Sequence, residues 1–135
     1  MLFRSVFFKG LFETALRPQE MITAVRIPAA DKTTRIGFAE LARRHGDYAI
    51  VGLAAAARSS GRGLADVRLA YFGVGDTPVR AKKAEAALAA GDIDAAVRAL
   101  DLDPNDDVQA TAKTKKHLAG VLLRRVATQL TDARG

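Results

Sequence analysis

The sequence has 135 residues, enough for one domain that buries a core without disulfides or a structural metal. It contains no cysteine, which excludes disulfides, thiolate zinc sites, iron–sulfur ligation and cysteine nucleophiles from this chain. The formal net charge is +6, but the basic residues are dispersed and lack interleaved aromatic residues, so nucleic-acid binding is not favoured. We expect one domain over residues 1–135.

Membrane insertion and export are also disfavoured by the sequence. The longest apolar run, residues 49–57, is too short to span a bilayer. Residues 1–16 carry charges that interrupt any apolar core of a signal peptide, among them Lys9 and Glu13. We therefore expect no membrane span and a cytoplasmic location.

The first half of the chain has the patterns of antiparallel strands. Residues 20–27 alternate apolar and polar positions and predict a strand that ends at Pro28. Residues 35–43 suit a second strand, although a helix is an alternative there. Residues 48–57 are continuously small and apolar, which predicts a strand buried on both faces. Residues 66–74 alternate again and, after a short glycine-containing connection, predict a hairpin with that strand.

The second half has the signals of helices. Thr77 as N-cap and Pro78 at the first helical position predict a helix that continues to Ala90. Asp92 can cap a short helix that runs through Leu100.

A long helix is predicted after residues 104–107. Its predicted apolar stripe consists of Leu118, Val121, Leu122, Val126 and Leu130, and its predicted opposite face carries Lys115, Lys116, Arg124 and Gln129. Strands followed by helices predict an α+β domain, with a small antiparallel sheet of three to four strands and about three helices packed on it.

Few residues outside one loop have a pattern that favours chemistry. His45 and His117 are predicted to be surface histidines, and no metal site is expected. The turn Gly73-Val74-Gly75 resembles a phosphate-binding turn, but it lacks the third glycine of the dinucleotide-binding pattern and is followed by Pro78. A plain connection between a strand and a helix is the alternative that we favour for this turn.

The informative feature is a charged loop between two apolar strands. It contains Arg43, Arg44, Asp47 and Tyr48. Such a set can bind a planar heterocycle, with the Tyr48 ring on one face and Asp47 accepting from a ring N–H. A salt-bridged structural turn explains the same residues equally well, so both interpretations stay open at this point.

Several segments match one known family in order and spacing. They are FKGLFETALRP (8–18) with Glu20, VRIP (25–28), ARRHGDYAIV (42–51), GVGDTPVRA (73–81), DD (106–107), HL (117–118) and VLLRR (121–125). On these segments nearly the whole chain resembles the C-terminal domain of the FAD-binding (medium) subunit of molybdenum hydroxylases of the aerobic carbon monoxide dehydrogenase and xanthine dehydrogenase family.

The resemblance implies a cofactor and a fold. A carbon monoxide dehydrogenase flavoprotein C-terminal domain-like fold would close over the isoalloxazine of FAD. The implied cofactor-binding residues are Arg43, Arg44, Asp47 and Tyr48, with Asp47 and Tyr48 nearest the ring and the two arginines supporting or polarising. The family's N-terminal domain, which binds the FAD pyrophosphate, has no counterpart in this sequence. We therefore expect the isolated chain neither to retain FAD nor to turn over substrate.

The resemblance also implies partners. These are an iron–sulfur small subunit and a molybdenum large subunit, so that the iron–sulfur clusters and the molybdenum cofactor lie outside this chain and pass electrons through the flavin to an acceptor. No catalytic or metal-ligating residue is implied here. The alternative is a non-catalytic module for subunit docking or homo-oligomerisation, left after loss of the FAD domain. An exposed apolar patch around Phe3, Phe7, Phe8 and Phe12 would favour that alternative.

Overall fold

An antiparallel sheet with helices on one face makes up most of the molecule. The computed structural model describes residues 7–61 and 63–132. A small ribbon, β1 (Phe8–Gly10) and β2 (Glu13–Thr14), precedes a four-stranded sheet in the order β3-β4-β5-β6, and the described helices follow. The strands of the sheet are β3 (Thr34–Leu41), β4 (Val51–Ser60), β5 (Gly63–Phe72) and β6 (Val79–Arg80), and the helices are α1 (Lys82–Ala89), α2 (Ile93–Arg98) and α3 (Ala112–Asp132). The predicted α+β class is confirmed.

The core lies between the sheet and the helices. Helix α3 packs on β3 and β4, and α1 packs on β5. The side chains that fill this layer are fully or almost fully buried, namely Val51, Leu53, Leu69, Tyr71, Leu122, Leu123, Val126 and Leu130. Aliphatic burial of this kind is the main favourable contribution to folding. The Tyr71 hydroxyl donates to the Ala119 carbonyl oxygen at 3.0 Å, and burial raises the pKa of Tyr71.

The predicted hairpin is confirmed, but the prediction of a strand buried on both faces was wrong. Strands β4 and β5 pair in antiparallel register up to Ser60 and Gly63. Along β4 the burial alternates, so that Leu53 and Ala55 are buried while Ala54 and Ala56 are exposed. Because the described helices cover only one face of the sheet, the other face remains open whatever its side chains are.

The strand predicted over residues 20–27 was also wrong. This segment belongs to no sheet, and Met21, Val25 and Ile27 are 77–80% exposed. A strand needs a neighbour to take its backbone hydrogen bonds, and none of the described strands pairs with this segment. The segment 35–43, for which a helix was an alternative, is a strand up to Leu41 within β3, and its last two residues belong to the connection that follows.

The first helix begins later than Thr77 and Pro78 predicted. Val79 and Arg80 pair with β5 as a short strand, and α1 begins at Lys82. The next helix has the predicted cap, because the Asp92 carboxylate accepts from the Ala95 N–H at 2.7 Å.

The long helix has the predicted apolar stripe with one error. Leu122, Val126 and Leu130 are buried in the core. Lys115, predicted to lie on the exposed face, is only 4% exposed and pairs with Asp107. The pairing explains the error, because an ammonium group tolerates burial when a carboxylate lies beside it. No helix in the described ranges is both long and apolar enough to cross a membrane.

Candidate functional site

The charged loop, residues 42–50, joins β3 to β4 at one end of the sheet. It brings Arg43, Arg44, Asp47 and Tyr48 together at the surface, and all of them are exposed. The loop is not a salt-bridged turn, because the Asp47 Oδ1 atom accepts from the Tyr48 N–H at 2.9 Å and none of the ion pairs among the described residues involves the loop. The structural alternative to a binding site therefore loses its main support.

Arg43 anchors the loop to a distant part of the chain. Its Nη2 atom donates to the carbonyl oxygens of Val108 at 2.9 Å and of Gln109 at 3.2 Å, both in the turn before α3. Hydrogen bonds from a charged donor are stronger than those between neutral groups. The Arg43 guanidinium is thus engaged with backbone, while the Asp47 Oδ2 atom makes no hydrogen bond with the described residues.

Short backbone contacts hold the base of the loop. The Asp47 N–H donates to the Arg44 carbonyl at 3.2 Å, and the Ile50 N–H donates to the Leu41 carbonyl at 2.7 Å. Between them Gly46 has φ +81°, a backbone region that side chains with a Cβ rarely adopt. The result is a constrained turn that presents the Tyr48 ring, 85% exposed, to solvent.

The glycine turn after β5 supports the loop from the other side. Gly73 has φ +75°, and a Cβ there would lie 2.7 Å from the Ile50 carbonyl oxygen and 2.9 Å from that of Ala49. The turn leads into β6 and not into a helix. Because no helix N-terminus stands behind it, the interpretation as a phosphate-binding turn loses its physical basis, and close approach to the loop explains the glycine.

Reasoning from the sequence missed the turn that holds Arg43. Asp107 Oδ1 accepts from the N–H groups of Gln109 at 2.8 Å and Ala110 at 2.9 Å, and Lys115 Nζ donates to Asp107 Oδ2 at 2.6 Å. The hydrogen bond from the Lys115 ammonium, with those from the two N–H groups, lowers the pKa of Asp107 to about 2. Arg43 and Val108 are 65 positions apart, which no local pattern can reveal.

Two clefts lie near these residues. One of about 340 Å³ is lined by residues 40–46 of β3 and the charged loop. The other, of about 360 Å³, lies between α2 and α3 beside Val97, Leu102 and His117. In the described part of the chain, no group of three or more histidine, aspartate or glutamate side chains is arranged to hold a metal ion, and both histidines are exposed.

Comparison with known proteins identifies the family. The family model described as the CO dehydrogenase flavoprotein C-terminal domain matches residues 36–130. This chain belongs to that family. The match spans β3 to the last turns of α3 and includes the whole charged loop.

Relatives and solved structures agree with this family. The chain is 30% identical to the beta subunit of caffeine dehydrogenase from a Pseudomonas species, over 93% of this chain and 45% of the relative. It is also 30% identical to the carbon monoxide dehydrogenase medium chain of Hydrogenophaga pseudoflava, over 88% of this chain and 44% of the relative. A solved carbon monoxide dehydrogenase from the same organism superposes with a TM-score of 0.86 at 31% identity, covering 93% of this chain and 46% of the other. The chain thus spans less than half the length of these relatives.

Proposed function

We propose that this flavoprotein C-terminal domain covers the isoalloxazine of FAD in the medium subunit of a molybdenum hydroxylase. The observation that carries the proposal is the exposed Tyr48 ring on a loop whose base is held by backbone contacts and by Arg43. A large aromatic ring that is exposed on a constrained turn can pack against a planar ligand with little further loss of conformational entropy. The family match of the loop supports the same ligand.

The residues of the loop fit a flavin ring. The Tyr48 ring provides a face for stacking, and the free Oδ2 atom of Asp47 provides an acceptor for a ring N–H. Arg44 adds an exposed positive charge beside them, and Arg43 keeps the loop in place through the carbonyls of Val108 and Gln109. In this proposal Tyr48 and Asp47 contact the ring, Arg44 polarises it, and Arg43 positions the loop.

The bound flavin would supply the exchange of electrons between iron–sulfur clusters and an acceptor. The clusters and the molybdenum cofactor would belong to a small and a large partner subunit in a cytoplasmic complex. The chain would act as one domain, and another polypeptide segment would hold the FAD pyrophosphate. We expect the chain alone not to retain FAD and to have no turnover, because its glycine turn at Gly73 lacks the helix N-terminus that stabilises phosphate.

The test uses the flavin spectrum and its fluorescence. The chain is mixed with FAD, with and without the first half of a medium chain from a relative, then desalted and measured. We expect flavin to be retained only in the mixture with both parts. In that mixture Tyr48→Ala should raise the flavin fluorescence several-fold, because an aromatic ring stacked on the isoalloxazine quenches it, while Tyr48→Phe should keep it low.

Lys83→Ala, an exposed change on α1, serves as the control and should leave retention and fluorescence unchanged. Stoichiometric flavin on the chain alone would contradict the expected dependence on a second part. Equal fluorescence of the wild-type mixture and the Tyr48→Ala mixture would contradict the assignment of Tyr48 to the ring.

A docking module without flavin is the second candidate, because apolar side chains of the N-terminal ribbon and the following segment are exposed. Phe12 is 97% exposed, Phe8 is 48% exposed, and Phe7 is partly buried, while Phe3 lies outside the described residues. An exposed apolar patch of this kind favours association. Light scattering after size-exclusion chromatography distinguishes the candidates: self-association that Phe12→Ser abolishes, together with no flavin retention in any mixture, would favour docking over flavin binding.

A further inference from the structure

The turn before α3 has charges on both of its sides. Two successive peptide groups form it, the one between Val108 and Gln109 and the one between Gln109 and Ala110. Their N–H groups both donate to Asp107 Oδ1, at 2.8 and 2.9 Å. Their carbonyl oxygens both accept from Arg43 Nη2, at 2.9 and 3.2 Å. The two peptides therefore connect a guanidinium to a carboxylate through their own dipoles.

A third charge completes the chain of contacts. Lys115 Nζ donates to the second carboxylate oxygen of Asp107 at 2.6 Å, and the Lys115 side chain is only 6% exposed while that of Asp107 is 44% exposed. The order is thus guanidinium, two peptide groups, carboxylate and ammonium. Hydrogen bonds that follow one another in this way polarise and strengthen each other.

We propose that Asp107 and Lys115 are positioning residues for the charged loop, acting through the 107–110 turn on Arg43. Lys115 fixes the Asp107 carboxylate, the carboxylate orients the two peptide groups, and their carbonyls hold the Arg43 guanidinium. The role of this coupling in flavin binding rests on the proposed function. The coupling between the 107–110 turn and the charged loop does not. In this arrangement the buried ammonium group of Lys115, in the first turn of α3, holds the Asp107 carboxylate in place.

A second explanation of the buried pair predicts that the effect of losing it is confined to the turn and the start of α3. If Lys115 and Asp107 only cap α3, their loss loosens the turn and the first turn of the helix, where Asp106 also accepts from the Ala112 N–H at 2.6 Å. Among the described residues the hydrogen bonds between the loop and this turn come from Arg43, and the amide exchange of the loop would then stay slow. If Asp107 and Lys115 act on Arg43 through the turn, the loop loosens together with the turn.

Hydrogen exchange measured by mass spectrometry on the whole chain, without flavin, tests the coupling. We expect Lys115→Met and Asp107→Asn each to accelerate amide exchange of residues 43–49 by about tenfold, since each breaks a hydrogen bond between charged groups. Arg43→Ala should do the same, and Arg43→Ala combined with Lys115→Met should add little to Arg43→Ala alone. Lys115→Arg, which keeps the charge, should restore slow exchange.

The opposite results would overturn the proposal. Faster exchange at residues 107–115 with unchanged exchange at 43–49 would assign the pair to helix capping alone. Additive effects of Arg43→Ala and Lys115→Met would show that the two sites are independent. Asp107→Asn affects a half-exposed side chain and keeps the test decisive if Lys115→Met does not fold. Because no flavin is present, failure here is distinct from failure of the flavin proposal.

Discussion

Two segments of this chain have the same alternation of apolar and polar residues and opposite fates. Strand β5 buries Val67, Leu69 and Tyr71, each at most 7% exposed, against the helices. Residues 20–27 leave Met21 and Ile27 77% and 80% exposed, outside every described sheet. Alternation therefore predicts that one face of a segment is suited to burial. It does not predict whether another element of the chain covers that face.

The largest difference between the two segments should be in stability. Leu69→Ala removes a fully buried side chain and should lower the free energy of unfolding by about 3 kcal/mol. Ile27→Ala, its control in the exposed segment, should change it by less than about 0.5 kcal/mol. Urea unfolding followed by circular dichroism measures both. Similar losses for the two variants would mean that residues 20–27 pack on the domain.

A smaller loss of stability is expected at Glu85, a charged residue on the buried side of the sheet. Glu85, 8% exposed, accepts from the Leu69 N–H at 2.8 Å and from the Arg80 guanidinium, so it joins α1, β5 and β6. Glu85→Gln should cost about 2 kcal/mol in urea unfolding, because a charged acceptor is lost in a poorly solvated place. Glu40→Gln, on the open face, should cost almost nothing. Equal losses of unfolding free energy in Glu85→Gln and Glu40→Gln would show that burial does not strengthen the hydrogen bonds of Glu85.

The same glutamate should make stability depend on pH. Burial raises the pKa of Glu85, but the hydrogen bonds from Arg80 and from the Leu69 N–H outweigh it and lower the pKa below its usual 4.5. A carboxyl with a lower pKa in the folded state adds stability above its unfolded pKa and loses it as the pH falls. With Asp107 lowered to about 2, we expect the free energy of unfolding to fall between pH 4.5 and about 2. The Glu85→Gln variant should lose less over this range, and an unchanged slope would exclude Glu85 as a source.

The smallest effect concerns the outer edge of the sheet. The Gln129 side chain accepts from the Phe38 N–H at 2.8 Å and donates to the Phe38 carbonyl at 3.2 Å, so it occupies the free edge of β3 as a neighbouring strand would. Gln129→Ala should cost about 1 kcal/mol and expose that edge. Light scattering should then detect more self-association than with Arg125→Ala, an exposed change on the same helix. No difference would mean that the Gln129 contact does not protect the edge.

Much of the fold could be predicted from local patterns. The hairpin of β4 and β5, the Asp92 cap and the buried stripe on α3 all depend on residues close in sequence, for which periodicity and capping are reliable guides. The start of α1 was misplaced, because Thr77 and Pro78 have the signature of a helix start while pairing with β5 turned the next two residues into β6. The four loop residues were found through a charged pattern and a family resemblance, and their contacts with flavin remain a prediction.

Local patterns in the sequence are enough to predict the class of the domain, its hairpin and the position of the charged loop. These follow from short-range propensity and from the alternation of apolar side chains. Three other features depend on how distant parts of the chain pack together. One face of β4 stays open, Lys115 is buried beside Asp107, and Arg43 is held by carbonyls 65 and 66 positions away. Burial and hydrogen bonding between distant residues depend on which surfaces meet in the folded chain. The local sequence pattern shows only which environments a side chain can tolerate.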